Sequence, residues 1–187
     1  NQGYKKIVLI GHSQGSLVGM LTLLEEPIDG FVSIAGTGFP ILVGLEKQLT
    51  KQFGSDSEEI KILENLKKGI IDYSIDKSNS FFISAENQKF LLTWMKYNPS
   101  EIIKEIKCPV LLIQGSADIQ ADMDDFKELY SSHPEAETLI INNMNHVLKE
   151  VNNEKENIEA YKNPSYRISQ DLIEGVSEFI NNISKLE

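Results

Sequence analysis

One cysteine, one arginine and three histidines are all that the 187 residues hold of those types, and each scarcity removes a class of function. A lone thiol, Cys108, forms no internal disulfide and builds no cysteine zinc cluster. It sits in Ile106-Lys107-Cys108-Pro109-Val110, which reads as the entry to a buried strand, so a packed and inert thiol is expected. With Arg167 the single arginine, bidentate phosphate clamps are scarce. A formal net charge of −10 would repel nucleic acid and anionic membrane surfaces over most of the molecule. No apolar run approaches the ~20 residues needed to cross a bilayer. No basic-then-apolar leader opens the sequence, which begins at Asn1 without a methionine. The compartment stays open on these grounds. Scarce cysteine fits a reducing, cytoplasmic setting, whereas a signal peptide removed upstream would make the protein periplasmic or secreted.

What is present is globular. Hydrophobic residues at 41% and charged residues at 25% exclude a disordered or low-complexity chain. There is no internal repeat. Four short apolar runs stand out, at residues 7–10, 30–35, 109–114 and 137–141. The first three are rich in Val, Ile and Leu, the pattern of strands buried on both faces. Helical periods separate them, at residues 13–25, 122–132 and 168–183, the first stopped by Pro27. Strands alternating with helices predict an α/β fold with a parallel sheet and right-handed crossovers.

Between the second and third strands the chain makes an excursion too long for a simple connection, which must carry structure of its own. Residues 42–53, 57–75 and 85–97 have helical periodicity, the last ended by Pro99. Ser55-Asp56-Ser57-Glu58 has the look of a capping box. The expected organisation is a core of residues 1–38 and 106–187, with residues 39–105 as a helical lid. An extra packing layer is the plainer alternative for that insertion.

The first strand runs straight into Gly11-His12-Ser13-Gln14-Gly15, and a helix follows at once. This is G-x-S-x-G in a strand-turn-helix setting. A serine forced onto a sharp turn brings backbone close, so a Cβ at either flanking glycine should collide. Gln14 then offers its backbone N–H at a helix start, where amides are unpaired and the dipole favours anions. By composition alone the pentapeptide should occur only ~0.06 times in this length. A phosphate loop is unsupported, since no Gly-Lys-Ser/Thr follows. A dinucleotide fingerprint after the second strand fails as well, because Ile41 stands at the third glycine position of Gly36-Thr37-Gly38.

A serine hydroxyl needs a base, and the base needs an acid to orient it. His12 adjoins the serine on the strained turn, so its side chain should point away as packing or pocket lining. His133, in Ser131-Ser132-His133-Pro134, reads as a solvated residue at a helix end. His146 remains, in a loop just past the fourth strand, on the same carboxyl edge of the sheet as Ser13. The acid should leave a strand at that edge too, and Asp118 does, in Gln114-Gly115-Ser116-Ala117-Asp118. Asp122, Asp124 and Asp125 are explained as first-turn partners of a helix dipole.

The chain order Ser13, Asp118, His146 is that of the α/β-hydrolases. Together with Gly11-His12-Ser13-Gln14-Gly15, the stretches Gln114-Gly115-Ser116-Ala117-Asp118-Ile119-Gln120 and Asn143-Met144-Asn145-His146-Val147-Leu148-Lys149 resemble that family's elbow, acid and base. The likeness is to its serine-aminopeptidase-like, lysophospholipase/esterase branch, from the elbow onward. It implies a serine hydrolase that cleaves small neutral or apolar carboxylic esters through an acyl-enzyme. Ser13 would be the nucleophile, His146 the base, Asp118 the orienting acid and the Gln14 N–H an oxyanion donor. His12, Thr37, Gly38, Phe90, Trp94 and Tyr97 would line the substrate pocket, although Phe90, Trp94 and Tyr97 could equally be ordinary helix core. No cofactor or metal is implied. An aminopeptidase or thioesterase of the same fold is the alternative activity. A non-catalytic fragment or pseudoenzyme is the alternative of another class, because the family's first four strands and its second oxyanion donor do not occur in this sequence. The edge strand with Ile7 and Ile10 should then pair with that N-terminal part or with another copy.

Overall fold

Val, Ile and Leu concentrate in four short stretches, and each becomes a strand in the computed structural model, which describes residues 3–73 and 84–186. The strands are β1 (Val8–His12), β2 (Gly30–Ile34), β3 (Val110–Gly115) and β4 (Glu137–Ile141). They form one sheet in the order β1-β2-β3-β4, every pair parallel. The register sets Val8 beside Gly30, Phe31 beside Val110 and Leu111 beside Glu137. A parallel sheet sends the carboxyl ends of all its strands, and the loops that leave them, to one edge.

Helices cover both faces, the crossovers on one and the C-terminal helix on the other. Helix α1 (Gln14–Glu25) joins β1 to β2. After a helical excursion of α2 (Ile41–Phe53), α3 (Glu58–Lys67) and α4 (Ala85–Trp94), the short α5 (Pro99–Ile103) leads into β3. Helix α6 (Met123–Ser132) joins β3 to β4, and α7 (Glu154–Ala160) and α8 (Gln170–Lys185) follow. Side chains alternate along the two central strands. Val32, Ile34, Leu111 and Ile113 pack with Leu172, Phe179 and Ile183 of α8. Phe31, Val110 and Leu112 pack on the other face with Met20 of α1, Ile103 of α5 and Phe126 and Leu129 of α6. Each such side chain contributes roughly 1.5–3 kcal/mol by leaving water, so β2 and β3 anchor the sheet.

Strand β1 departs from the expectation of burial on both faces. Among the described residues it is an edge strand with β2 as its only neighbour, and Ile10 remains 46% exposed. His133 departs in the opposite sense. Rather than a solvated surface residue it is a buried C-cap, 8% exposed, with its N–H bonded to the Leu129 and Tyr130 carbonyls.

The chain divides into two compact units, one of Asn1–Gly38 with Pro99–Glu187 and one of Phe39–Asn98. Residues 99–105 thus belong to the first unit, where Ile103 is buried. Within the second unit α2, α3 and α4 share an apolar cluster that includes Leu45, Leu49, Leu63, Leu66 and Leu91. Its second helix is shorter than the 57–75 periodicity predicts. It stops at Lys67 because Gly69, at φ +76°, turns the chain, while Ile70 N–H bonds back to Asn65 O. Residues 74 and 75 of that expected helix lie outside the described residues. The cap is Ser57, whose Oγ accepts from Ile60 N–H, so the box expected from Ser55 to Glu58 does not form.

Candidate active site

Strand β1 continues its ladder into the turn, since Ser13 N–H donates to Ile34 O at 2.9 Å. The chain must then reverse into α1, and Ser13 sits at φ 54°, ψ −122°, a left-handed conformation that costs a non-glycine residue on the order of 1–3 kcal/mol. Gly11 makes the turn possible: a Cβ there would run into the carbonyl of Gly15. Gly15 does not share this constraint, and a Cβ on it meets nothing within 4 Å, which corrects the expectation of a clash on both sides. Gln14 opens α1, where its N–H has no carbonyl of the same helix to bond.

Strands ~4.8 Å apart put β4 ~14 Å from β1, so a residue beyond β4 reaches Ser13 only if its loop crosses the strand ends. The 143–151 segment does so as a small hairpin. Val151 N–H bonds Asn143 O and Asn145 N–H bonds Lys149 O, with left-handed corners at Asn143 and Leu148. The hairpin lies over the end of β3, where Ala117 N–H donates to Met144 O at 3.0 Å. Gly115 leaves the room, because a Cβ there would strike that same Met144 carbonyl. At the tip His146, 6% exposed, places Nε2 3.0 Å from Ser13 Oγ and Nδ1 2.8 Å from Asp118 Oδ2.

Asp118, 9% exposed, follows β3 in a tight turn that fixes its carboxylate. Its Oδ1 accepts from Gln120 N–H at 2.8 Å and Ala121 N–H at 3.1 Å, leaving Oδ2 for the imidazole. Buried Gln114 closes the turn by donating to Ala121 O at 2.8 Å. The rival acids serve α6 instead. Asp122 caps it, Asp125 completes the box, and Asp125 also accepts from Gly38 N–H at 2.9 Å.

His12 does not point away as the sequence suggests. Its Nε2–H donates to His146 O at 2.8 Å and its ring lies 5.0 Å from the His146 ring. The residue as a whole is exposed, but burial of the ring lowers its pKa, opposed by the carbonyl bond. Thr37 and Gly38 lie in the loop after β2. Gly38 is accounted for by packing, since a Cβ would meet the Asp125 carbonyl. Phe90 and Trp94 belong to the second unit, on α4, with rings 5.6 Å apart. Tyr97 falls beyond the end of that helix, so the expected three-residue aromatic stripe is only two residues long.

The structure therefore brings Ser13, His146 and Asp118 into hydrogen-bond contact, with His12 and Gln14 beside them. Gly115, Gln114, Asn145 and Asn157 hold the surrounding loops and were not singled out by sequence reasoning. Three of them could have been found, as Gln114, Gly115 and Asn145 lie inside the motifs that carry the acid and base. Among the described residues no group of three or more His, Cys, Asp and Glu could hold a metal ion, and no helix is long and apolar enough to cross a membrane.

No family model matches the sequence. The curated esterase EstD of Thermotoga maritima is 28% identical over 152 residues, covering 76% of this chain and 35% of its own. An esterase of Pyrococcus furiosus superposes with a TM-score of 0.57 at 18% identity, over 95% of this chain and 54% of its own. A structure reported with carboxylesterases of the thaumarchaeon Nitrososphaera gargenis gives 0.57 at 20% identity, over 96% of this chain and 66% of its own. The chain thus spans about a third of the curated relative and between half and two thirds of these two structures. Four parallel strands between helical layers, shared with these esterases, make this chain an α/β-hydrolase in fold.

Proposed function

We propose that the chain carries the catalytic residues of a serine esterase acting on small neutral or apolar carboxylic esters. One observation carries the reading: a continuous hydrogen-bond path from Ser13 Oγ through His146 to Asp118, at 3.0 and 2.8 Å. Ser13 Oγ bonds to the ester carbonyl carbon while His146 Nε2 takes its proton. The Gln14 N–H receives the oxyanion. His146 then gives the proton to the departing alcohol, leaving an acyl-serine. Water enters, loses a proton to His146 and releases the acid, and Ser13 recovers its hydrogen. Asp118 keeps Nδ1 protonated and stabilises the imidazolium. The esterases that this chain resembles favour an ester over a peptide or thioester, and the net charge of −10 disfavours anionic substrates. The second unit, with Phe90 and Trp94, is proposed as the lid and acyl-binding module.

The test is a fluorophosphonate ester, which traps an activated serine. Stoichiometric modification located at Ser13 by peptide mass spectrometry, lost in Ser13→Ala, supports the esterase reading. An unmodified, folded protein overturns it in favour of a non-catalytic module.

The half-exposed edge of β1 is proposed to pair with a further strand, from a longer form of the protein or from a second copy. Ile10→Lys would place a charge on that edge. Light scattering after size-exclusion chromatography should show the substituted chain less associated than the parent, and equal mass distributions would refute the pairing.

A further inference from the structure

Asn145 and Asn157 form a buried polar pair, 1% and 5% exposed. Burying two amides costs free energy unless each is bonded, and here the bonds have definite directions. Asn145 Oδ1 accepts from Lys149 N–H at 3.0 Å, which makes its Nδ2 the donor to Asn157 Oδ1 at 3.1 Å. Asn157 Nδ2 in turn donates to Ala117 O at 2.8 Å. Two of the three contacts end on backbone atoms, so neither amide can flip without losing a partner.

The connected positions give the pair its meaning. Asn145 immediately precedes His146, and Ala117 immediately precedes Asp118. Asn157 comes from α7, an element that supplies none of the three proposed reacting residues. Its amide thus spans the two loops that bear the proposed base and acid, one residue upstream of each. The hairpin already rests on the acid loop through Ala117 N–H to Met144 O. Asn143 N–H to Ser116 Oγ at 2.8 Å joins the same two loops at the base of the hairpin, and the Asn157 amide adds an attachment at the residues that adjoin His146 and Asp118.

We propose that Asn157 is a positioning residue that fixes the separation and angle of the His146–Asp118 pair. The proposal rests on the triad reading above and adds a residue to it. Asn157 touches no reacting atom and acts only through the two loops. Its contribution therefore falls on the chemical step. A misplacement of ~1 Å far from the chemistry can cost up to about 10²-fold in rate. Substrate binding is untouched.

Asn157→Asp is the informative variant, because it keeps the shape and the acceptor for Asn145 while removing the donor to Ala117 O. Asn157→Leu removes both bonds. Ester hydrolysis should show kcat lowered by roughly 10- to 100-fold with KM unchanged in both. The low-field proton NMR resonance of the His146 Nδ1–H held by Asp118 should broaden or move upfield. That resonance is read on the intact chain without substrate, so it decides the proposal even if the esterase reading fails. Both variants should lose some thermal stability, Asn157→Leu through its lost bonds and Asn157→Asp through a carboxylate facing the Ala117 carbonyl, so each melting temperature is measured and the kinetics are read on the folded protein. Wild-type kcat together with an unchanged low-field resonance in Asn157→Asp would overturn the proposal. A raised KM with normal kcat would do so too.

Discussion

His12 Nε2–H donates to the carbonyl oxygen of His146 at 2.8 Å, fastening the residue before the nucleophile to the backbone of the proposed base. Burial lowers the His12 pKa from its ordinary 6.5, so the folded protein holds this proton less tightly than the unfolded chain does. Where the unfolded state binds more protons, stability rises with pH. The contribution of His12 is therefore present above about pH 6.5 and is lost as pH falls through the lower folded value. His12→Gln keeps an amide donor but cannot titrate. Its melting temperature should fall less than that of the parent between about pH 7.5 and about pH 5. Parallel curves from scanning calorimetry would show that His12 carries no such linkage.

The glycines of the elbow make a contrasting pair. Gly11→Ala drives a methyl into the Gly15 carbonyl and should cost about 1–3 kcal/mol, with loss of serine labelling. Gly15→Ala points into open space near the start of α1 and should stay within about 0.5 kcal/mol of the parent, or gain slightly. Urea unfolding of both variants measures the difference.

Replacing the proposed acid tests the mechanism most sharply. Asp118→Asn should lower kcat/KM for ester hydrolysis by about 10⁴-fold, through the wrong imidazole tautomer. Asp122→Ala removes a helix cap and should cost about 1 kcal/mol of stability with turnover preserved. Ser13→Ala and His146→Ala should each abolish nearly all turnover, and the double variant should be scarcely worse, because the groups act as one unit. Near-normal turnover in Asp118→Asn would move the acid elsewhere.

Trp94 half-buries its ring beside Phe90 in the second unit. If the two line an acyl pocket, each methylene of substrate gains up to ~0.8 kcal/mol there. Trp94→Ala should then depress kcat/KM progressively from acetate to octanoate esters of p-nitrophenol. A uniform effect across the series would make Trp94 core.

Much of this architecture could be read from local pattern. The runs around Val32 and Leu112 announce strands buried on both faces because helices do cover both faces, and α1 follows from a glycine-flanked serine. The apolar run of β1 suggested burial on both faces while the family resemblance marked the same strand as an edge, because an apolar run carries no information about how many neighbours its strand will have. His133 was misjudged because the Ser-Ser-His-Pro context says helix end and nothing of what packs over it. The proposed acid and base were legible from chain order along a parallel sheet. Asn157 was not, since its partners are 12 and 40 residues away and only the folded crossing of the hairpin brings them together. Tyr97 was overread because a helical spacing was extended past the point where the helix ends.

Ser13 leaves one edge strand and His146 leaves the other, while Asp118 leaves an interior strand between them. Native-state openings start where strands have a single partner and few buried contacts, and they reach the interior last. The two groups that would exchange the proton therefore ride on the parts of the sheet that fray first. Fluctuations at either margin can part serine from imidazole while the hydrophobic interior stays intact. In this arrangement the proposed serine–imidazole contact can open reversibly well before the fold is lost.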